Sequence, residues 1–452
     1  MHDPGDVLLI ACYELGHQPL ALAWPAAFLE RAGLAPAVMD LSVEPFDAEK
    51  VARARVVAIS VPMHTALRLG VQAAERVRTV NPAARLVFYG LYAALNAEYL
   101  RARCGADAVL SGELEDELVT SVVHLLAGMP PAPRETSLDR LAFPTPSRSA
   151  LPSLEKYAHV DRDGRLELAA YVEASRGCKH RCRHCPIPPV YGGRFFVVPV
   201  DVVLADVRQQ VAAGARHVTF GDPDFLNGPR HALAVARALH AQFPDVTFDM
   251  TAKVEHLLRH REHLPALAAF GCLFVVTAAE SLDDDVLRHL DKDHTRADIE
   301  RALAALRAAS ISPRPTWVAF TPWTTLDGYR EWLDFIARER LVDCIDPVQY
   351  GIRLLVPPGS LLAGHEALRP FLGPLVEGAF HYRWAHPDPR VDRLQADVAA
   401  TVAAAAGRED AATTFDHVRG LAARAAGQPS PPSLSLAADR RRPPRLTEAW
   451  FC

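Results

Sequence analysis

Cysteine and methionine are scarce in this 452-residue chain, at 8 and 5 residues. No apolar run reaches the ~18 residues that a membrane span needs, so a membrane protein is not expected. Cysteine this sparse excludes a disulfide scaffold. A dominant charge sign is also lacking: 49 Lys and Arg against 54 Asp and Glu give a net charge of −5, which leaves no electrostatic footprint for nucleic acid. The opening segment MHDPGDVLLI has neither a basic n-region nor a cleavage site, so the expected location is cytoplasmic. Apolar residues, by contrast, make up 50% of the chain, enough to offset chain entropy and exclude global disorder. The length predicts two or three domains.

Residues 7–126 alternate apolar runs with helical patterns: Val7–Ala11, Pro36–Asp40, Val56–Ser60, Arg85–Tyr89 and Ala108–Leu110 each precede a helical stretch. Continuous rather than alternating Val/Ile/Leu runs suit strands buried on both faces of a parallel sheet. Residues 1–127 therefore read as a doubly wound domain, with ligand-binding loops expected after the strands at Ser60, Gly90 and Ser111-Gly112-Glu113. Prolines crowd residues 128–155, which read as a surface linker. A second βα series follows at Leu166–Ser175, His217–Gly221, Thr247–Ala252, Leu273–Glu280, Arg314–Phe320 and Pro347–Val356. Six units are too few for a closed eight-unit barrel, so a partial barrel is expected over 156–360. Residues 361–426 read as helices and 427–452 as a flexible tail closed by LTEAWFC. The expected fold is α/β: an N-terminal doubly wound parallel sheet, a partial six-unit (β/α) barrel and a C-terminal helical extension.

The chemistry is concentrated in EASRGCKHRCRHCPIPP, Glu173–Pro189. Cys178, Cys182 and Cys185 follow an apolar strand with C-x3-C-x2-C spacing. Three thiolates can hold three irons of a four-iron cube and leave the fourth open to a ligand. The alternatives are a zinc site completed by His180 or His184, or free thiols. Structural zinc usually takes two paired knuckles, and no second knuckle exists here.

This motif, opening a βα partial barrel, resembles the radical S-adenosylmethionine (SAM) superfamily over about Tyr171–Gly359. The resemblance implies a 4Fe-4S cluster on Cys178, Cys182 and Cys185, whose open iron chelates SAM. Reductive cleavage would give a 5′-deoxyadenosyl radical, with electrons from a ferredoxin or flavodoxin. It also implies SAM contacts at His184, where relatives place an aromatic ring, and at Gly221, Asp222 and Asp224, in place of a Gly-Gly-Glu-like segment. A turn is the alternative for Asp-Pro-Asp. Further implied contacts are Thr251 and Lys253 on the third strand, Glu280 and Ser281 on the fourth, and Tyr350 on the sixth. Thr295 or Asp298 reads as a helix cap instead.

Residues 1–127 resemble the cobalamin-binding module found upstream of many such enzymes, on the βα order and on Ser60, Gly90, Gly112 and Glu113. The Asp-x-His-x-x-Gly motif is missing, so a bound corrinoid would lack a protein histidine below it. The alternative is a degenerate domain kept for packing. Cys12, Cys104, Cys272 and Cys344 read as inert thiols. The end of the chain resembles radical SAM proteins with a Cys-Cys-Ala-Glu-Pro or Cys-selenocysteine-Ala-Glu-Pro tail; only Cys452 is present, which raises the expectation of a selenocysteine codon beyond it. The leading expectation is cobalamin-dependent radical methyl transfer to a small molecule or peptide. A cobalamin-independent radical enzyme is the runner-up, and a metal-stabilised binding or redox-sensing protein the third reading.

Overall fold

The computed structural model describes residues 3–434, 440 and 442–448. The first apolar runs form β1 (Val7–Ala11), β2 (Ala37–Asp40), β3 (Val56–Ser60), β4 (Arg85–Tyr89) and β5 (Ala108–Gly112). They lie parallel in the order β2-β1-β3-β4-β5. All five residues of β1 and of β3 are buried, as continuous apolar runs require between two helical layers. The proline-rich stretch adds a sixth, two-residue strand, β6 (Thr136–Ser137), beside β5. It is less peripheral than a surface linker: Arg148 is buried and bonded to Asp206 at 2.7 and 3.0 Å.

The second sheet begins with the hairpin β7 (His159–Arg162) and β8 (Arg165–Val172), followed by the small ribbon β9 (Ser175–Gly177) and β10 (Phe195–Val197). The sheet continues through β11 (His217–Phe220), β12 (Thr247–Thr251), β13 (Cys272–Glu280) and β14 (Ser312–Trp317). Strands β8, β11, β12, β13 and β14 are parallel neighbours, each backed by helices, which makes a curled half-barrel.

Two expectations fail here. Pro347–Val356 is not a sixth strand; Pro347–Gly351 is a 3-10 turn, and only the Phe320–Arg353 bridge extends the sheet. Its apolar run is spent on core packing: Tyr350 is fully buried against Trp332 and Phe415. The region after Leu361 is not all helical either. A hairpin, β15 (Leu372–Val376) and β16 (His381–Trp384), precedes the helices Pro389–Ala405 and Ala411–Ala425.

The tail, expected to be flexible, is docked over its described residues. Arg440 pairs with Asp343 and Asp410 at 2.7 Å each. A last strand, β17 (Arg445–Leu446), pairs antiparallel with β7 at the sheet edge. Leu446 and Glu448 then line a small space with Phe274, Val276, Arg314 and Thr316 of β13 and β14. The tail thus spans the open side of the half-barrel. Cys452 and the two aromatic residues before it lie outside the described residues. Among the described residues no helix is long and apolar enough to cross a membrane.

Candidate active site

The cysteine loop leaves β9 through Gly177, whose φ of 71° lies in the left-handed region. A Cβ there would stand 2.5 Å from the Arg194 carbonyl oxygen and 2.6 Å from the Tyr191 ring, so only glycine lets the chain turn into the loop. Cys178, Cys182 and Cys185 are all free, with Cys182 buried and the other two half-buried. Burial pushes the Cys185 thiol up to about 12, and the charges of Cys182 and Cys178 act in the same direction. Burial also raises Cys178, with Cys182 contributing. The three sulfurs are thus close enough to feel one another, and a thiolate here needs a cation to hold it.

Lys292 supplies fixed positive charge. It is buried, it feels Cys182 and Cys185, and its Nζ donates to Glu280 Oε1 at 3.0 Å. Glu280 ends β13 with a φ of 65°, a conformation rare for a non-glycine residue. Burial alone would raise its carboxyl, but Lys292 and His184 override this and hold it well below the usual range. His184 Nε2 lies 3.2 Å from Glu280 Oε1, and its Nδ1 is buried without a partner. A cavity of about 190 Å³ opens beside this group, lined by Glu280, Ser281, Val286, Val318 and Trp332. Ser281 accepts the Asp283 N–H at 3.1 Å.

Beyond the loop runs a chain of polar contacts. Lys253 Nζ donates to His180 Nδ1 at 2.9 Å, and His256 Nδ1 donates to Asp224 Oδ2 at 2.7 Å. These ends assign the tautomers, so His180 Nε2–H donates to His256 Nε2 at 3.3 Å. Lys253 and Asp224 therefore brace the cysteine loop through two histidines. Thr251 is half-buried at the end of β12. Asp222 Oδ2 accepts the Ala174 and Ser175 N–H groups at 2.8 and 2.9 Å, and burial raises its carboxyl to about 8. Gly221 is dictated by Tyr171, whose ring comes within 2.5 Å of where a Cβ would stand. These two residues join strands rather than face open space, and Tyr350 is core. Thr295 is the N-cap of Arg296–Ala308, closed by Asp298 in a capping box.

The first domain grips the same loop. Arg176, two residues before Cys178, donates to Glu173 at 2.6 Å and to Glu115 at 2.8 and 2.9 Å. Glu113 accepts from Tyr191 Oη at 3.1 Å and lies 3.9 Å from Arg176. Burial raises Glu113 to about 7, with Arg176 opposing. Trp24 Nε1 also donates to Glu173, at 3.1 Å.

The donor set fits a 4Fe-4S cluster: three soft thiols lie on one loop within electrostatic reach of one another, and a buried lysine lies within reach of two of them. The corrinoid positions fit less well. A Cβ on Gly112 would meet the Ser137 carbonyl oxygen at 2.1 Å, and one on Gly90 would meet Val61 at 3.0 Å. Both glycines make room for the chain itself. Ser60 is buried with its Oγ unpartnered, and Glu113 accepts from Tyr191 through Oε1 while its Oε2, 3.9 Å from Arg176, has no hydrogen-bond partner. Of the four residues, the two glycines are taken up by the chain's own packing, and the two polar side chains keep unpartnered oxygens.

Residues 172–326 match the Radical SAM superfamily. The ribosomal protein uS12 methylthiotransferase RimO of Desulfosudis oleivorans is 25% identical over 232 residues, covering 48% of this chain and 49% of that protein. The hopanoid C-3 methylase of Methylococcus capsulatus is 25% identical over 205 residues, covering 44% and 38%. The chain thus spans about half, or less, of the curated relatives it matches. Among solved structures, the cobalamin-dependent SAM radical enzyme OxsB with aqua-cobalamin bound superposes with a TM-score of 0.64 at 14% identity, covering 86% of this chain and 66% of that one. The radical SAM methyltransferase TsrM of Kitasatospora setae, with tryptophan and a SAM analogue bound, gives 0.60 at 18% identity, covering 74% and 71%. These likenesses establish the fold, including the pairing of an N-terminal parallel sheet with the half-barrel.

The structure adds Lys292, His256 and Arg176, which the sequence does not single out, and gives His180 a bracing role in place of a zinc-ligand one. Lys292 and His256 carry no signal in the sequence, because their roles arise from contacts with the cysteine loop and with the turns after other strands. Arg176 lies within the cysteine motif, and its role rests on carboxylates of the first domain.

Proposed function

We propose that this protein is a radical SAM enzyme that reductively cleaves SAM at a 4Fe-4S cluster held by Cys178, Cys182 and Cys185. The observation that supports the reading is three free thiols on one loop, two of them within electrostatic reach of buried Lys292, at the start of a segment similar to the Radical SAM superfamily. When cluster and SAM are bound, the chemistry they supply is one-electron cleavage to methionine and a 5′-deoxyadenosyl radical, which removes hydrogen from substrate. The chain's own part is to hold and shield. Lys292 balances thiolate charge, and the Lys253–His180–His256–Asp224 series braces the loop from the barrel side. Arg176 braces it from the first domain. His184 and Glu280, beside the cavity at the ends of β13 and β14, are the residues we assign to SAM. The electron donor is a ferredoxin or flavodoxin, and the substrate a small molecule or peptide.

A second reading is cobalamin-dependent methyl transfer. The observation favouring it is the likeness to OxsB and TsrM across both domains. Cobalt analysis of protein prepared anaerobically with cobalamin supplied separates the two: stoichiometric cobalt supports the second, iron alone the first. The test of the main reading is 5′-deoxyadenosine formation from SAM under reducing conditions. Wild type should form it, and Cys182→Ala should lose iron and product together. A variant that keeps cleaving SAM would refute the assignment.

A further inference from the structure

A buried amide beside Cys178 has half of its hydrogen-bonding capacity unspent. Asn227 is 1% exposed and ends the short turn Phe225–Asn227 that follows β11. Its Oδ1 accepts the Lys179 N–H at 3.2 Å and stands 3.8 Å from Cys178 Sγ. A backbone N–H can only donate, so this bond fixes which end of the amide is oxygen. The Nδ2 end is then buried without a hydrogen-bond partner. The backbone on either side of it is closely packed. The Asn227 N–H donates to the Asp224 carbonyl at 3.1 Å. The Phe195 ring sits 3.2 Å from where a Cβ on Gly228 would be, and Lys179 Nζ lies 4.6 Å above the same ring. A buried donor with no acceptor is rare in native proteins and calls for an explanation. The sulfur beside this amide is Cys178 Sγ, on its Oδ1 end.

We propose that Asn227 is a positioning residue for the cluster: its Oδ1 fixes the Cys178–Lys179 peptide, and its Nδ2 donates N–H to a cluster sulfur on the Cys178 side. This rests on the radical SAM reading and extends it to a residue outside the cysteine motif. A hydrogen bond to sulfur draws electron density off the cluster and favours the reduced form, because hydrogen bonds to the sulfurs are among the determinants of cluster potential.

The test uses the full chain, reconstituted anaerobically and labelled with 15N in the asparagine side chain. Pulsed EPR of the reduced wild type should show a 15N coupling and an exchangeable proton, both lost in Asn227→Leu. That variant should keep its iron while its reduced form becomes about tenfold less favoured, a fall of about 59 mV for a one-electron couple. Should the leucine variant fail to hold iron, Asn227→Ser, with its shorter donor, should show an intermediate potential. A four-iron signal in wild type with no 15N coupling overturns the assignment, as does an unshifted potential in a variant with full iron. If wild type assembles no cluster at all, the radical SAM reading falls with it, and iron analysis identifies that outcome separately.

Discussion

The two parallel sheets end differently, although both bring loops to their carboxyl edges, where α/β proteins place ligands. At the edge of the first sheet most polar groups are spent on the chain itself, although Ser60 Oγ and Glu113 Oε2 are buried without hydrogen-bond partners. Glu14 accepts the Leu20 and Ala21 N–H groups, Glu113 faces Tyr191 and Arg176, and Ser137 fills the space beside Gly112. At the edge of the second sheet they are left incomplete. Three thiols are free, and His184 Nδ1 and Asn227 Nδ2 are buried without partners. Both edges hold buried polar atoms without partners, and the second adds three free thiols on one loop. That loop is where chemistry is proposed, and Glu113 and Glu115 of the first domain clamp it through Arg176.

Removing a thiol should break the cysteine site completely. Cys182→Ala is expected to abolish iron binding and 5′-deoxyadenosine formation while leaving the circular dichroism spectrum and the first domain unchanged. Breaking the clamp comes next. Arg176→Met leaves Glu113, Glu115 and Glu173 without their buried cation, and removing one partner of a buried pair typically costs about 3–5 kcal/mol. Denaturant unfolding measures that loss, and an unchanged midpoint would contradict the clamp.

Ending the chain after Pro444 sharpens the comparison further, because it removes β17 and the Glu448–His17 pair at 3.1 Å. Faster amide exchange confined to β7 and the Gly16–His17 turn is expected, and uniform exchange would show that the tail closes nothing. The smallest effect is on pH dependence. The Glu113 carboxyl is raised to about 7, above its unfolded value, so the folded state binds more protons between about pH 4.5 and 7. Its contribution to stability is present below that window and is lost as pH rises through it. Glu113→Gln should flatten the fall in melting temperature between pH 5 and 8, and an unaltered slope would assign it to other groups.

Much of the fold was legible because strands buried on both faces must be continuously apolar; VLLIA and VVAIS could hardly be anything else. The false strand at Pro347–Val356 shows the limit of that rule. Its first half, around Tyr350, is buried against helices, and Leu354 and Val356 pack against β16, so the run is apolar without being one continuous strand of the sheet, a distinction periodicity does not make. The hairpin at Leu372–Trp384 was missed because glycine and proline interrupt it and its two strands pair only with each other. In the site, the cysteine spacing and Glu280 are local features that survive without a structure. Lys292 and Asn227 gain meaning only once strands from four parts of the chain meet.

The most direct measurement is EPR of the reduced, anaerobically prepared protein before and after SAM is added. A 4Fe-4S signal from about four irons per chain that changes when SAM binds is the predicted result. A cluster indifferent to SAM, or one zinc per chain in place of iron, would contradict an open iron held by Cys178, Cys182 and Cys185.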